Sequence, residues 1–226
     1  MMENKYHSDN LNDYNYTLIN ILKEDENLNG KTILEIGCNE ARNLCAIKTF
    51  APDCQFYGVD INDTAIIQAY KNLPEGRFII ENVENLALPW KDVQYDYIFF
   101  IDVLEHLHNP KEVLTYVKSY LKPEGKIICS IPNLANWAIL ANLIMYNRFP
   151  YTETGLLDFT HVHLFTRDEF ILNVKECGYT IESFVYINLG TTEEEKEYIN
   201  KLLPLCTFNE SRETLEAFEF MFVLTK

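Results

Sequence analysis

The sequence predicts a doubly wound α/β fold on a seven-stranded sheet with an antiparallel terminal strand, and three observations carry that prediction. Short, uniformly apolar runs alternate with helical patterns over the first two thirds. The residues that follow each run are polar and acidic. The last third breaks the alternation with two apolar runs joined by an acidic helical excursion. Runs that are apolar throughout belong to strands covered on both faces, and helices between them imply parallel crossovers.

Taken in order, residues 31–36 form a first strand that ends at Gly37, and a helical pattern follows to about Phe50. Residues 55–60 form a second strand, with a helix over 64–72; residues 77–80 and 95–101 form the third and fourth. A helix over 111–121 stops at Pro123-Glu124-Gly125, and residues 126–131 form the fifth strand. An amphipathic stretch at 134–146, a loop with Pro150 and Gly155, and a helix from about Arg167 come next. Residues 179–189 and 216–225 read as two closing strands around a helical 193–203.

The 226 residues, 47% hydrophobic and 23% charged, describe one domain over 1–226, with segment 1–28 and insertion 133–166 as substrate-side elaborations. A chain of this size buries roughly 70% of its unfolded surface and needs no covalent staples. Nineteen Lys+Arg against thirty-four Asp+Glu leave a net charge of -15, which disfavours nucleic acid and anionic membranes as partners. The six cysteines show no C-x-x-C pair and read as buried thiols of a reducing compartment. The N-terminus lacks signal-peptide order, and the apolar stretch 137–146 is shorter than the ~20 residues that span a bilayer, so a cytoplasmic location without a membrane span is expected.

Ligands of open α/β sheets bind beyond the carboxyl ends of the strands. There the chain offers Glu35-Ile36-Gly37-Cys38-Asn39-Glu40-Ala41, Asp60-Ile61-Asn62, Glu81-Asn82-Val83-Glu84 and Asp102-Val103-Leu104-Glu105-His106. A glycine after the first strand admits a ligand to the backbone, and an acid ending the second can accept both hydroxyls of a ribose. The single glycine of the first turn argues against a nicotinamide dehydrogenase, which needs G-x-G-x-x-G.

Ile33-Leu34-Glu35-Ile36-Gly37-Cys38, Val59-Asp60, Asn82-Val83-Glu84-Asn85-Leu86, Tyr95-Asp96-Tyr97-Ile98, Asp102 to Leu107, Leu121-Lys122-Pro123-Glu124-Gly125-Lys126 and Ile131-Pro132-Asn133 resemble the successive motifs of class I S-adenosylmethionine-dependent methyltransferases. The resemblance implies S-adenosylmethionine as cofactor, with Glu35, Gly37 and Cys38 lining its methionine end and Asn39 keeping the turn beside them. It implies that Asp60 holds the ribose and Ile61 flanks the adenine. Asn82 and Val83 would meet the adenine edge, and Ile101 and Asp102 would close the floor. The family's second and third glycines are Asn39 and Ala41 here; Asn tolerates left-handed backbone, and Ala41 is expected to add only a methyl at the helix start.

Methyl transfer from a sulfonium is an in-line displacement that must free the acceptor of its proton. On a helical turn Asp102, Glu105 and His106 would share one face; alternatively, Asp102 and Glu105 form a capping box that opens the next helix. A second cluster, residues 157–167, carries His161 and His163. Together the two clusters are similar to the divalent-metal arrangement of some O-methyltransferases, including those of ubiquinone biosynthesis, which implies Asp102, Glu105, His106 and His161 as metal ligands. Without metal, His161 is a direct general base beside His106. His163 alternates with His161 and is expected to be a packing or backbone-bonded histidine.

Acceptor choice falls to residues 6–16 and 133–165, the latter rich in Trp137, Tyr146, Phe149, Tyr151 and Phe159 and expected to form a lid. Arg148 and Arg167 read as surface charges that could also receive an anion, and Glu193-Glu194-Glu195 as a solvated helix start. Residues 131–133 and 157–161 also resemble methyltransferases that accompany glycosyltransferases in polysaccharide pathways, which makes a sugar hydroxyl the leading acceptor. N-methylation, a quinone-pathway acceptor, and a non-catalytic cofactor-binding module that regulates a partner stay open.

Overall fold

All five residues of Thr32–Ile36 are buried, which is what a central strand between two helical layers requires. In the computed structural model, which describes residues 14–188 and 190–226, this strand is β1. It pairs in parallel with β2 (Gln55–Asp60) on one side and β4 (Tyr95–Phe100) on the other. Strand β3 (Arg77–Ile80) adds to β2, and β5 (Leu121–Pro132) to β4, both in parallel. Strand β7 (Glu219–Thr225) lies antiparallel between β5 and β6 (Thr180–Ile187), giving the order β3-β2-β1-β4-β5-β7-β6.

The terminal strand is therefore antiparallel and pairs with its predecessor at the end of the sheet as expected, inserted between β5 and β6. This insertion brings the first residue of β7, Glu219, opposite Pro132, at the same end of the sheet where β1 to β5 finish.

Successive residues of each strand supply opposite layers, as the pleat dictates. Leu34, Phe100 and Ile127 join a core with α4 (Pro110–Val117) and α6 (Arg167–Glu176). Ile33, Phe99 and Ile128 join the other, under α1 (Tyr16–Lys23), α2 (Arg42–Lys48) and α3 (Asp63–Asn72). A smaller cluster packs α5 (Trp137–Tyr146) on α7 (Glu193–Leu202) and α8 (Ser211–Glu216).

Three sequence expectations change. The helix before β5 ends at Val117 and a 3-10 turn, Lys118–Tyr120, follows, so β5 begins five residues early. Pro123, Glu124 and Gly125 do not break the strand; the pairing jumps from Tyr95↔Leu121 to Tyr97↔Lys126 and they bulge out of register. The short helices α1 and α8 were not expected, and Asn15 caps the former by accepting from Leu18 N–H. The six cysteines are free thiols, of which Cys38, Cys54 and Cys129 are buried and the other three half-buried. Among the described residues no helix is long and apolar enough to cross a membrane.

Candidate active site at the carboxyl ends of the strands

The loop after β1 folds back over β2. Gly37 and Cys38 N–H both donate to the Val59 carbonyl, at 2.8 and 3.1 Å. This path needs φ +71° at Gly37, where a Cβ would stand 2.4 Å from Val103 Cγ2. Asn39 keeps the turn at φ +45° and donates its N–H to Asp60 Oδ2 at 2.8 Å, while Asn62 N–H donates to Oδ1 at 2.8 Å. The Asp60 carboxylate is thus fixed by one backbone donor on each oxygen, with further lone pairs free to accept. Beside it Ile61 is 73% exposed, the highest value for a large apolar side chain among the described residues.

Ala41 corrects the sequence reading. It does more than add a methyl, because it sits at φ +61°, ψ +31° in the left-handed region and is fully buried. An L-residue pays roughly 1–2 kcal/mol for that conformation. The Cys38 side chain turns inward, 3% exposed, and burial pushes its thiol pKa up, so the backbone of that residue, not its sulfur, borders the crevice.

Glu35, next to last in β1, is buried, with Asn43 Nδ2 donating to Oε1 at 2.7 Å and Oε2 without a protein partner. Burial outweighs that bond and pushes its pKa up to about 8. Asn43 also accepts from Asn15 N–H at 2.8 Å, tying the start of α1 to the same carboxyl. The expected acceptor residues 6–13 lie outside the described residues.

After β3, Asn82 Oδ1 accepts from Glu84 N–H at 3.0 Å and caps a 3-10 turn, Val83–Asn85. Val83 packs into the core. Ile101 is half-buried against the α1 to α3 layer.

Beyond β4 the chain turns at Asp102, whose φ of +53° removes it from any helix. Its N–H donates to Ser130 Oγ and the Ser130 hydroxyl donates back to Asp102 Oδ1, each at 2.8 Å. Asp102 and Glu105 therefore form no capping box: the 3-10 turn Leu104–His106 follows Val103 and has no side-chain cap. Glu105 is 1% exposed and neither of its oxygens has a hydrogen-bond partner. Burial, reinforced by Asp102, holds its pKa well above the carboxylate range.

His106 and His161 converge on that carboxyl. Ligand-capable atoms of Glu105, His106 and His161 all lie within 4.8 Å of one another, with His161 Nε2 at 4.0 Å from Glu105 Oε1. Asp102, the fourth residue of the implied metal set, is not part of this cluster. His161 Nδ1 is 3.3 Å from the Leu156 carbonyl; a carbonyl only accepts, so Nδ1 carries the hydrogen and Nε2 the lone pair. His106 Nδ1 faces the Thr160 carbonyl at 3.3 Å in the same sense. Burial, with His106 alongside, lowers the His161 pKa.

The segment that carries His161 is clasped to the β4 loop. Val162 and His163 N–H donate to the Glu105 carbonyl at 2.9 and 3.0 Å. Asp158 accepts from both the N–H and hydroxyl of Thr160, at 2.8 and 2.7 Å. His163 turns away as expected, 3.1 Å from the His108 carbonyl and stacked on Phe165.

The aromatic residues of 133–165 divide. Trp137 stacks on Tyr198 and Tyr146 meets the same residue through its hydroxyl, so both serve α7. Tyr151 and Phe159 are 59% and 65% exposed. Arg167 is no surface charge: it is buried, over Phe184, and donates to Asp168, Tyr186, Glu210 and the Asn209 carbonyl. Arg148 is exposed. Thr192 and Glu195 form a reciprocal capping box, which explains the acidic start of α7.

Ser130 and Glu219 were missed in the sequence. Each left a trace: Ser130 is the one hydroxyl of an apolar run, and Glu219 the one acid of β7. Glu219 is 5% exposed, hydrogen-bonded to Asp102 and Ser130, and burial holds its pKa well above the carboxylate range.

A cavity of about 710 Å³ opens at the opposite pole, lined among others by Lys31, Asp96, Lys122, Lys126 and Glu182. Its lysines are ion-paired, Lys31 and Lys122 with Asp96 and Lys126 with Glu182, and none of the strand-end acids or histidines borders it. The convergence of titratable groups, not cavity size, marks the candidate site.

Residues 12–183 match the methyltransferase domain family. A mitochondrial ubiquinone biosynthesis O-methyltransferase of Dictyostelium discoideum is 25% identical over 118 residues, 47% of this chain and 36% of its own length. The chain thus spans about a third of that relative. Among solved structures, a putative methyltransferase in complex with the Haloferax volcanii Trm112 activator aligns with TM-score 0.64 at 16% identity, covering 92% of this chain and 88% of its own. Magnesium protoporphyrin IX methyltransferase of Synechocystis PCC 6803, with bound SAH, aligns with TM-score 0.62 at 14% identity over 93% and 81%. With three quarters of its length in the family match and a fold shared with the solved methyltransferases above, this chain belongs to the class I S-adenosylmethionine-dependent methyltransferases.

Proposed function

We propose that this chain transfers a methyl group from S-adenosylmethionine to a hydroxyl oxygen of a small acceptor. The observation that carries the reading is the meeting of His106, His161 and Glu105 beside the strand-end crevice. The donor's ribose hydroxyls are assigned to Asp60, whose oxygens are already oriented by Asn39 and Asn62. Ile61 offers the adenine an apolar face, and Glu35 Oε2, buried without a partner, offers the methionine ammonium a counter-charge. In the reaction the sulfur–methyl bond breaks with its electrons returning to sulfur, the acceptor oxygen bonds the methyl, and the hydroxyl proton leaves. Without a metal, His161 Nε2, neutral and lone-paired, is assigned as its acceptor.

The resemblance also implies a divalent metal. Two imidazoles with free Nε2 atoms and a buried carboxyl lacking any hydrogen bond make a donor set that fits manganese, iron or zinc. Glu105, His106 and His161 would hold it, and Asp102 would not. When bound, such an ion supplies positive charge that lowers the pKa of an acceptor hydroxyl.

A sugar hydroxyl is the first acceptor class to test. Tyr151, Phe159 and Val162 favour a second class, because three exposed apolar side chains on the segment holding His161 suit an aromatic or prenylated phenol. Incubation with labelled S-adenosylmethionine and panels of nucleotide sugars and catechols, before and after chelator dialysis, separates these readings. Turnover on one panel names the class; unchanged turnover after chelation removes the metal. Cofactor binding without turnover on any acceptor would favour the regulatory module.

A further inference from the structure

Three buried carboxyls at the strand ends each keep an oxygen without a protein partner: Glu35, Glu105 and Glu219. The first two have assigned ligands above. Glu219 does not, and a half-satisfied buried carboxyl is costly enough to call for a reason. The surrounding framework fixes it closely. Asn133, fully buried, donates its side-chain amide to the Thr214 and Ala217 carbonyls at 2.7 and 2.9 Å. Asn136 donates to Ala217 as well, and Asn133 N–H to the Phe218 carbonyl at 3.0 Å. These bonds pin the turn just before Glu219 to the end of β5, opposite Asp102.

Asp102 itself is exposed, and Ser130 holds both its N–H and its carboxylate. Its left-handed backbone is uncommon for a residue other than glycine and must be secured by neighbours. We propose that Glu219, acting with Ser130, is a positioning residue that holds the Asp102 carboxylate toward bound S-adenosylmethionine from the opposite strand of the sheet. A hydrogen bond between two carboxyl groups requires one proton between them, and an amide in place of Glu219 supplies an equivalent N–H donor. Glu219→Gln should therefore preserve the brace, and Glu219→Leu should remove it while filling the space.

The inference rests on the cofactor reading above, so the experiment includes a control for that reading. Calorimetric titration of S-adenosylhomocysteine into wild type, Glu219→Gln, Glu219→Leu, Ser130→Ala and Asp60→Ala is compared with the melting temperature of each. Glu219→Leu is expected to weaken binding about tenfold, the loss typical of a hydrogen bond to a charged group, and Glu219→Gln to stay within about threefold of wild type. A merely structural role would move melting temperature and leave affinity unchanged. Should Glu219→Leu not fold, Ser130→Ala decides by the same criterion. Wild-type affinity in Glu219→Leu, or in Ser130→Ala where that variant decides, with loss confined to Asp60→Ala, overturns the role of Glu219 and leaves the cofactor site standing. Absence of binding to wild type overturns both.

Discussion

The imidazoles of His106 and His161 meet edge to face, with centroids 4.8 Å apart and planes at 70°. One comes from the turn after β4, the other from a segment fastened to that turn by its own backbone. Each ring uses Nδ1 for a carbonyl, which leaves both Nε2 atoms for acceptor chemistry.

Truncating either ring should therefore slow transfer and spare the donor. For His161→Ala a loss of about 10²–10⁴ in kcat is expected, the range for a positioned general base. S-adenosylhomocysteine affinity should stay within about twofold, since His161 stands on the 157–163 segment, which carries none of the residues assigned to the donor. Turnover and calorimetry on the same preparation check this, and a parallel loss of affinity would move His161 into the cofactor site.

Much of this arrangement was legible in the chain because strand-end chemistry follows directly from short apolar runs. Asp60 and Gly37 could be placed as soon as β1 and β2 were delimited. The Ser130–Asp102–Glu219 contact could not, because it depends on β7 lying between β5 and β6, and antiparallel register decides which residue meets Pro132. Asp102 and Glu105 misled for a local reason. Their i,i+3 spacing fits a helix face, but a left-handed Asp102 sends its carboxylate to Ser130 while Glu105 turns into the core. Arg167 shows a third cause: a lone arginine at a helix start reads as surface until Glu210 and Tyr186 come round from distant segments to meet it.

Arg167 gives a prediction about stability alone. Its guanidinium spans Asp168, Tyr186, Glu210 and the Asn209 carbonyl, but both carboxylates are more than half exposed, so solvent screens the ion pairs. Arg167→Ala should cost about 2 kcal/mol, mostly from hydrogen bonds left unmade to Tyr186 and Asn209. Arg167→Lys should recover little, since an ammonium cannot reproduce the planar fork. Urea melts of the three proteins measure both, with cofactor affinity unchanged.

Glu35 predicts a pH dependence. Its carboxyl is near 4.5 when unfolded and about 8 when folded, so the folded chain binds the extra proton between those values. Stability then falls as pH rises from about 4.5 and reaches its full loss above 8, with a ceiling of roughly 5 kcal/mol. Glu35→Gln cannot lose a proton and should flatten this slope, ending more stable than wild type at pH 9. Saturating S-adenosylmethionine should flatten it in wild type too, because an ammonium beside Glu35 favours the ionised carboxylate. Thermal melts across pH 5 to 9, with and without the donor, compare the slopes; parallel curves for wild type and Glu35→Gln would show the carboxyl to be ionised throughout.

The first loop predicts an epistatic pair. A Cβ at Gly37 would lie 2.4 Å from Val103 Cγ2, and the backbone there has φ +71°. These two costs are separable. The conformational one, roughly 1–2 kcal/mol, belongs to Gly37 alone. The steric one, about 1–3 kcal/mol, needs Val103 as its partner. Gly37→Ala should therefore destabilise by about 2–5 kcal/mol in wild type and by only about 1–2 kcal/mol in a Val103→Ala background. The interaction term of that cycle isolates the clash. Because the same loop orients Asn39 N–H toward Asp60, donor affinity should follow the same pattern: lost in Gly37→Ala and partly regained in the double variant. Equal losses in both backgrounds would mean that the loop moves off Val103 when a methyl is added, and that the glycine is required by backbone angle alone.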